Sequence, residues 1–241
     1  MRMSMQLIDA GAQRLAPIVA GVDVWRIDLD ALAPLADIKL LSEDERRRAE
    51  RLRFERDRGR YLAAHFVLRV LLGRALARAP ETLVFTEAEF GKPRLAVVPR
   101  CAFNLSHSEG VGLIALGGDR ELGVDIEMVR ELGDVRALAQ RCCTDAECAQ
   151  LFAQPADALS RAFLRSWTRK EACLKAMGVG LSAGPQSVEV DANGTAAEGD
   201  PQTIDVSFPT RHARLQLHTL ALGHDQVGAL AIGMTPQMFA R

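Results

Sequence analysis

No stretch of about 18 uninterrupted apolar residues occurs in this chain of 241 residues, so no membrane-spanning helix is expected. Met1 to Leu15 lacks the continuous apolar core and cleavage site of a secretory signal. An excess of one charge is missing too. Lys and Arg number 30 against 31 Asp and Glu, and the formal net charge of -1 does not point to nucleic acid. Cysteine is scarce: the five are Cys101, Cys142, Cys143, Cys148 and Cys173. Their number is odd and no Cys-x-x-Cys pair occurs, which argues against a zinc or disulfide framework and for a reducing cytoplasm. What is present is an ordinary globular balance, 48% hydrophobic and 25% charged. The length allows one large domain or two of about 100–150 residues each.

Periodicity predicts a strand at Val22–Leu29, then a helix opened by the capping-box pair Ser42 and Glu45. A longer helix is expected over about Asp57–Ala79, burying Leu62, Phe66 and Val70 and stopped by Pro80. Strands follow at Leu83–Thr86, Ala102–Leu105 and Val111–Leu116, with a further one at Arg94–Val98. Gly117-Gly118-Asp119-Arg120 is the best linker candidate. Beyond it come a strand at Leu122–Glu127 and helices near Val135–Arg141, Thr144–Ala153 and Asp157–Met177. Strands are then expected at Ser187–Val190, Ile204–Phe208, Leu215–Leu220 and Val227–Ile232, with a turn at Asn193-Gly194. Each half thus reads as strand, helices, then strands, although the letters barely repeat. The expectation is an α+β protein of two similar lobes, residues 1–118 and 119–241, related by a pseudo-twofold.

Three segments carry chemistry. In Trp167-Thr168-Arg169-Lys170-Glu171-Ala172-Cys173-Leu174-Lys175, Trp167, Glu171 and Lys175 recur at helical spacing and share one stripe. Gly178-Val179-Gly180 then ends the helix. In Gly123-Val124-Asp125-Ile126-Glu127, a strand would project Asp125 and Glu127 from one face. Carboxylates that close repel unless neutralised, and a divalent cation with oxygen ligands is the usual remedy. Glu171 could complete such a site. Phe103-Asn104-Leu105-Ser106-His107-Ser108, with the apolar run after Gly110, reads as two strands around a polar turn that presents Ser106 and His107 as donors. Gly91-Lys92-Pro93 is a turn with one lysine. Each piece has a plainer reading. Asp125 and Glu127 could face water. Glu171 and Lys175 could be an exposed ion pair worth about 0.3–0.5 kcal/mol.

Together, Asn104-Leu105-Ser106-His107, Gly123-Val124-Asp125-Ile126-Glu127 and Trp167 to Ala172 with Lys175 and Gly178 resemble the motif set of the 4'-phosphopantetheinyl transferases. The chain length resembles the large, surfactin-synthetase-type branch. The resemblance covers about Ser42 to Leu181. It implies two α+β lobes with the active site in the cleft between them, and a cytoplasmic, monomeric transferase of carrier-protein activation. It implies Mg²⁺ held by Asp125, Glu127 and Glu171. Coenzyme A would be the co-substrate, contacted by Arg48, Lys92, Asn104, Ser106, His107 and Lys175. Glu171, Lys175 and His107 would be the catalytic residues, with either Glu171 or a metal-bound water as the base. The acceptor would be a serine of an acyl or peptidyl carrier protein in fatty acid, polyketide or nonribosomal peptide biosynthesis. Neither nucleic acid nor membrane is an expected partner.

Arg48 is one choice within the arginine-rich stretch Arg46, Arg47, Arg48, Arg51, Arg53, Arg56, Arg58 and Arg60, most of which reads as a solvated helix face. The chain departs from family members that carry more basic residues before Gly91, having Glu87, Ala88, Glu89 and Phe90 instead. Trp167 and Phe103 read as core, Trp167 between the lobes. Lys170 reads as a phosphate contact or a solvent-facing residue, and Cys173 as core. Two rivals are another magnesium enzyme acting on a pyrophosphate and a non-catalytic binder of coenzyme A or carrier protein.

Overall fold

Ser42 opens its helix as the capping box predicts. Its Oγ accepts from the Glu45 backbone N–H at 3.3 Å, and the Glu45 carboxylate accepts from the Ser42 N–H at 2.7 Å. The computed structural model describes residues 10–88, 90–96, 101–180, 184–192, 200–208 and 211–236. Its strands are β1 (Ala12–Arg14), β2 (Asp23–Asp28), β3 (Phe85–Glu87), β4 (Pro93–Leu95), β5 (Phe103–Ser108), β6 (Val111–Leu116), β7 (Arg120–Met128), β8 (Gln202–Phe208), β9 (Arg211–Thr219) and β10 (Gln226–Pro236). Its helices are α1 (Leu29–Leu32), α2 (Glu43–Glu50), α3 (Glu55–Leu76), α4 (Val135–Cys142), α5 (Asp145–Phe152) and α6 (Leu159–Met177). Among the described residues no helix is long and apolar enough to cross a membrane.

Two antiparallel four-stranded sheets form the frame, in the orders β1-β2-β6-β5 and β7-β10-β9-β8, beside the hairpin β3-β4. Alternation along each strand decides what lies on either side. Val24, Leu113 and Ala115 of the first sheet meet Leu122, Val124, Ile126, Leu230 and Ile232 of the second in one apolar layer. On its other face the first sheet offers Ile27, Phe103, Ile114 and Leu116 to α3. The second offers Ala229, Ala231, Leu215 and Leu217 to α6. The order of layers is therefore α3, sheet, sheet, α6. This is the α+β class that the sequence predicts.

Several expectations change in detail. The long helix stops at Leu76, before Pro80, because Ala77 turns left-handed (φ 51°) and the Arg78 N–H returns to the Gly73 carbonyl at 2.8 Å. The Gly117–Arg120 linker is a tight connection into β7. The Gly117 N–H donates to Ala102 O, and the Ala102 N–H to Gly118 O, both at 2.8 Å. No strand forms at Ser187–Val190. A 3₁₀ turn occupies Pro185–Ser187, and the next backbone donors find side chains: Val190 N–H reaches Glu147 Oε1 at 2.8 Å and Ala192 N–H reaches Gln150 Oε1 at 2.9 Å. The strand expected at Arg94–Val98 is β4, and its end lies outside the described residues, as do Asn193-Gly194 and Leu181. Trp167 stacks on Phe163 in a small cluster with α4 and α5, not between the sheets. Phe103 and Cys173 are core, as expected.

Glu45 does more than cap. It lies buried against His65 Nδ1 at 3.1 Å and Arg69 Nε at 2.8 Å. Burial pushes its carboxyl up, but the bonds from His65 and Ser42 and the Arg69 charge outweigh that and hold it at about 2. The folded value lies below the unfolded 4.5, so the carboxylate's contribution is complete above pH 4.5 and is lost as pH falls towards 2. The shift corresponds to about 3 kcal/mol. Stability measured by urea unfolding between pH 5 and 2.5 is expected to fall more steeply in the native protein than in Glu45→Gln; parallel curves would contradict this.

Candidate active site

Because Leu122, Val124 and Ile126 face the inter-sheet layer, Gly123, Asp125 and Glu127 face the other way, towards α6. Gly123 permits unusually close approach. A Cβ there would fall 2.2 Å from Ala172 O and 2.3 Å from Ala176 N, both helix backbone. Glu171 and Lys175, one helical turn apart, flank that contact. The Lys175 ammonium donates to Asp125 Oδ1 at 2.5 Å and to Ser106 Oγ at 2.9 Å. Ser106 Oγ donates in turn to Asp125 Oδ1 at 2.7 Å.

The neighbouring edge of the first sheet completes the wall. On β5, Asn104, Ser106 and Ser108 alternate onto the face that meets β7. Asn104 Oδ1 accepts the Val124 N–H at 2.8 Å. Ser108 Oγ donates to Glu127 Oε2 at 2.7 Å and accepts the Met128 N–H at 3.2 Å. Arg130 also reaches Glu127 Oε2, at 3.1 Å. Polar side chains thus occupy backbone donors along the free edge of β7.

Asp125, Glu127 and Glu171 act on one another electrostatically. Burial raises the Asp125 carboxyl above its ordinary value, assisted by Glu127 and opposed by Lys175 and Ser106. Glu171 rises to about 7, first through burial, then through the Asp125 and Glu127 charges, against Lys175. Its Oε1 is buried with no hydrogen-bond partner. A buried orphan oxygen beside two further carboxylates, against Lys175 and Arg130, is a donor set still short of positive charge, and a divalent cation fits it. Among the described residues, however, no group of three or more His, Cys, Asp or Glu side chains is already arranged to hold a metal ion. Lys175 neutralises Asp125 in that role here.

His107 is not on a turn with Ser106. Strand β5 continues to Ser108, the turn is Glu109-Gly110, and His107 points to the opposite face from Ser106. Its ring is exposed towards α3, where partial desolvation and then the Lys175, His65 and Arg60 charges hold it below 6.5. Beyond it, Tyr61 and His65 stand with ring centroids 4.2 Å apart, and the Tyr61 hydroxyl is buried without a partner. Neither was singled out from the sequence. Arg48, farther along, pairs with Glu87, one of the acids noted as a departure.

Two lysines go elsewhere. Lys92 donates to Leu122 O at 2.9 Å and Ala176 O at 3.0 Å, at the end of α6, away from the carboxylates. Lys170 is fully buried on Glu147 Oε2 at 2.7 Å, so it neither faces solvent nor reaches the site. Asn104 spends its amide oxygen on backbone. Ser108 was missed, though its spacing of two from Ser106 was the available signal.

Residues 121–223 match the family described as the 4'-phosphopantetheinyl transferase superfamily. Residues 32–117 match the 4'-phosphopantetheinyl transferase N-terminal family. A putative 4'-phosphopantetheinyl transferase of Synechocystis is 36% identical, over 75% of this chain and 73% of its own length. The 4'-phosphopantetheinyl transferase HetI of Nostoc is 37% identical, over 67% of this chain and 70% of its own. Sfp of Bacillus subtilis, also named a 4'-phosphopantetheinyl transferase, is 25% identical over 76% and 77%.

Proposed function

We propose that this chain, which belongs to the 4'-phosphopantetheinyl transferase family, moves 4'-phosphopantetheine from coenzyme A to a serine of an acyl or peptidyl carrier protein, with Mg²⁺, releasing adenosine 3',5'-bisphosphate. The observation that carries the metal-dependent reading is the buried, unpartnered Glu171 Oε1 of a carboxylate that feels the Asp125 and Glu127 charges. Asp125, Glu127 and Glu171 would hold the cation, which when bound would offset negative charge on the pyrophosphate. The remaining work falls to side chains. Lys175, its side chain 28% exposed, can donate to a phosphate oxygen as charge builds there. Glu171, directly or through a water, would take the serine proton. His107, on the face of β5 opposite Ser106, would with Arg48 supply donors to the other phosphates of coenzyme A.

The two sheets, each with its helix layer, suit lobes at 1–118 and 119–241 related by a pseudo-twofold, with the site where β5 meets β7. The surfactin-type branch, a monomeric state and a cytoplasmic location are parts of the same reading.

The test is mass spectrometry of an apo carrier protein incubated with this protein, coenzyme A and Mg²⁺. A gain of one phosphopantetheine group, abolished by chelator, is expected. Release of adenosine bisphosphate without carrier would mean a hydrolase, and neither product would leave a binding module. Lys175→Ala is expected to lower the rate at saturating coenzyme A by about 10²–10³-fold; an unchanged saturating rate would remove Lys175 from the chemistry.

A further inference from the structure

An α-helix leaves its last four carbonyls without intrahelical partners. In α6 all of them are met. Gly178, left-handed at φ 66°, donates its N–H to Lys175 O at 3.2 Å, and the Val179 N–H reaches Leu174 O at 3.3 Å. The other two are taken by cations from distant parts of the chain. Lys92, immediately before β4 in the β3–β4 hairpin, donates to Ala176 O, and Arg211, the first residue of β9, donates to Met177 O. Both cations lie under the Gly178 turn: a Cβ on Gly178 would meet Lys92 Cδ at 3.3 Å and Arg211 at 3.7 Å. Glu121 of β7 binds them together, paired with Arg211 and 3.6 Å from the Lys92 ammonium.

Lys92 also donates to Leu122 O, the carbonyl that precedes Gly123. One ammonium therefore joins β7 to α6 next to the point where Gly123 lets them touch. Ala176 follows Lys175 directly, and Leu122 is three residues from Asp125. The side chain is only 11% exposed, so its ammonium is committed to protein.

We propose that Lys92, Glu121 and Arg211 form a clamp that sets the height of α6 on β7, making Lys92 and Arg211 positioning residues for Lys175 and Glu171 rather than contacts for coenzyme A. Lys92 comes from the N-terminal half, so that half fixes the geometry of a site carried mainly by the other. The inference rests on the transferase reading above.

The experiment compares the full chain with Lys92→Met, Lys92→Arg and, as an independent break of the same clamp, Arg211→Gln, in steady-state transfer to a carrier protein. Lys92→Met and Arg211→Gln are expected to lower kcat by about 10–100-fold with KM for coenzyme A within about twofold, and Lys92→Arg to recover most of the loss. A raised KM at unchanged kcat would mean that Lys92 binds coenzyme A directly and would overturn the clamp. So would native kcat in folded Lys92→Met or Arg211→Gln. If the native chain transfers nothing, the transferase reading fails by itself. Hydrogen exchange of the Met177, Gly178 and Val179 amides then decides: faster exchange in both variants supports the clamp, and unchanged exchange rejects it.

Discussion

Replacing Asp125 with asparagine is expected to lower transfer by about a thousandfold while leaving the melting temperature of the metal-free protein unchanged or raised. The two effects have one origin. Asp125 is 5% exposed, and folding strips water from a carboxylate that Lys175 and Ser106 compensate only in part. Its folded-state value is above the unfolded 3.8, so its contribution to stability is full below that pH and is lost as pH rises through the raised value. At neutral pH the charge opposes folding. Asparagine keeps the shape and can still accept the Ser106 hydroxyl proton, but it carries no charge for a cation. Lys175, 28% exposed, can turn to solvent when its partner is neutral. Turnover with Mg²⁺ and thermal unfolding with chelator, measured on the same preparation, check both halves. Near-native turnover would remove Asp125 from the proposed metal set, and a large drop in melting temperature would make the Asp125–Lys175 pair a structural one.

The parts of this site that the sequence showed are those in which spacing maps directly onto a face. Asp125 and Glu127 alternate on a strand, and Glu171 and Lys175 repeat on a helix, so their juxtaposition follows from periods of 2 and 3.6. The capping box at Ser42 was legible for the same reason. What could not be read depends on which element covers which face. Arg169, Lys170 and Glu171 are consecutive charges, of which Lys170 reads as a phosphate contact or a solvent-facing residue. Yet α6 lies between the second sheet and α4–α5, and all three are buried. Arg169 is held by Thr219 Oγ1 at 2.6 Å and Lys170 by Glu147. Lys92, Glu121 and Arg211 are far apart in the chain and share no motif, so only the folded register β7-β10-β9 and the hairpin beside it unite them. The absent strand at Ser187–Val190 has a similar cause. An apolar alternation was present, but Glu147 and Gln150 took the backbone donors that a neighbouring strand would have used.

Gly123→Ala tests whether close contact of helix and strand sets the site. The new methyl would lie 2.2 Å from Ala172 O, 2.3 Å from Ala176 N and 2.8 Å from Lys175 C. All three are backbone atoms of a hydrogen-bonded helix, so no side-chain rotation relieves the clash. Either α6 lifts or β7 bends. Overpacking of this kind costs about 1–3 kcal/mol, and more when backbone must move. A chain of this length loses roughly 2–4 °C of melting temperature per kcal/mol. The lift also carries Glu171 and Lys175 away from Asp125, and a displacement of about 1 Å can lower turnover by about a hundredfold. Gly133 is the matched control, since a Cβ there meets nothing within 4 Å, and Gly133→Ala is expected to leave both quantities near native. Below its own melting transition, Gly123→Ala should therefore be folded and nearly inactive. If it is folded and fully active, the distance between α6 and β7 does not govern the chemistry, and the ordering of Glu171 and Lys175 must come from other contacts.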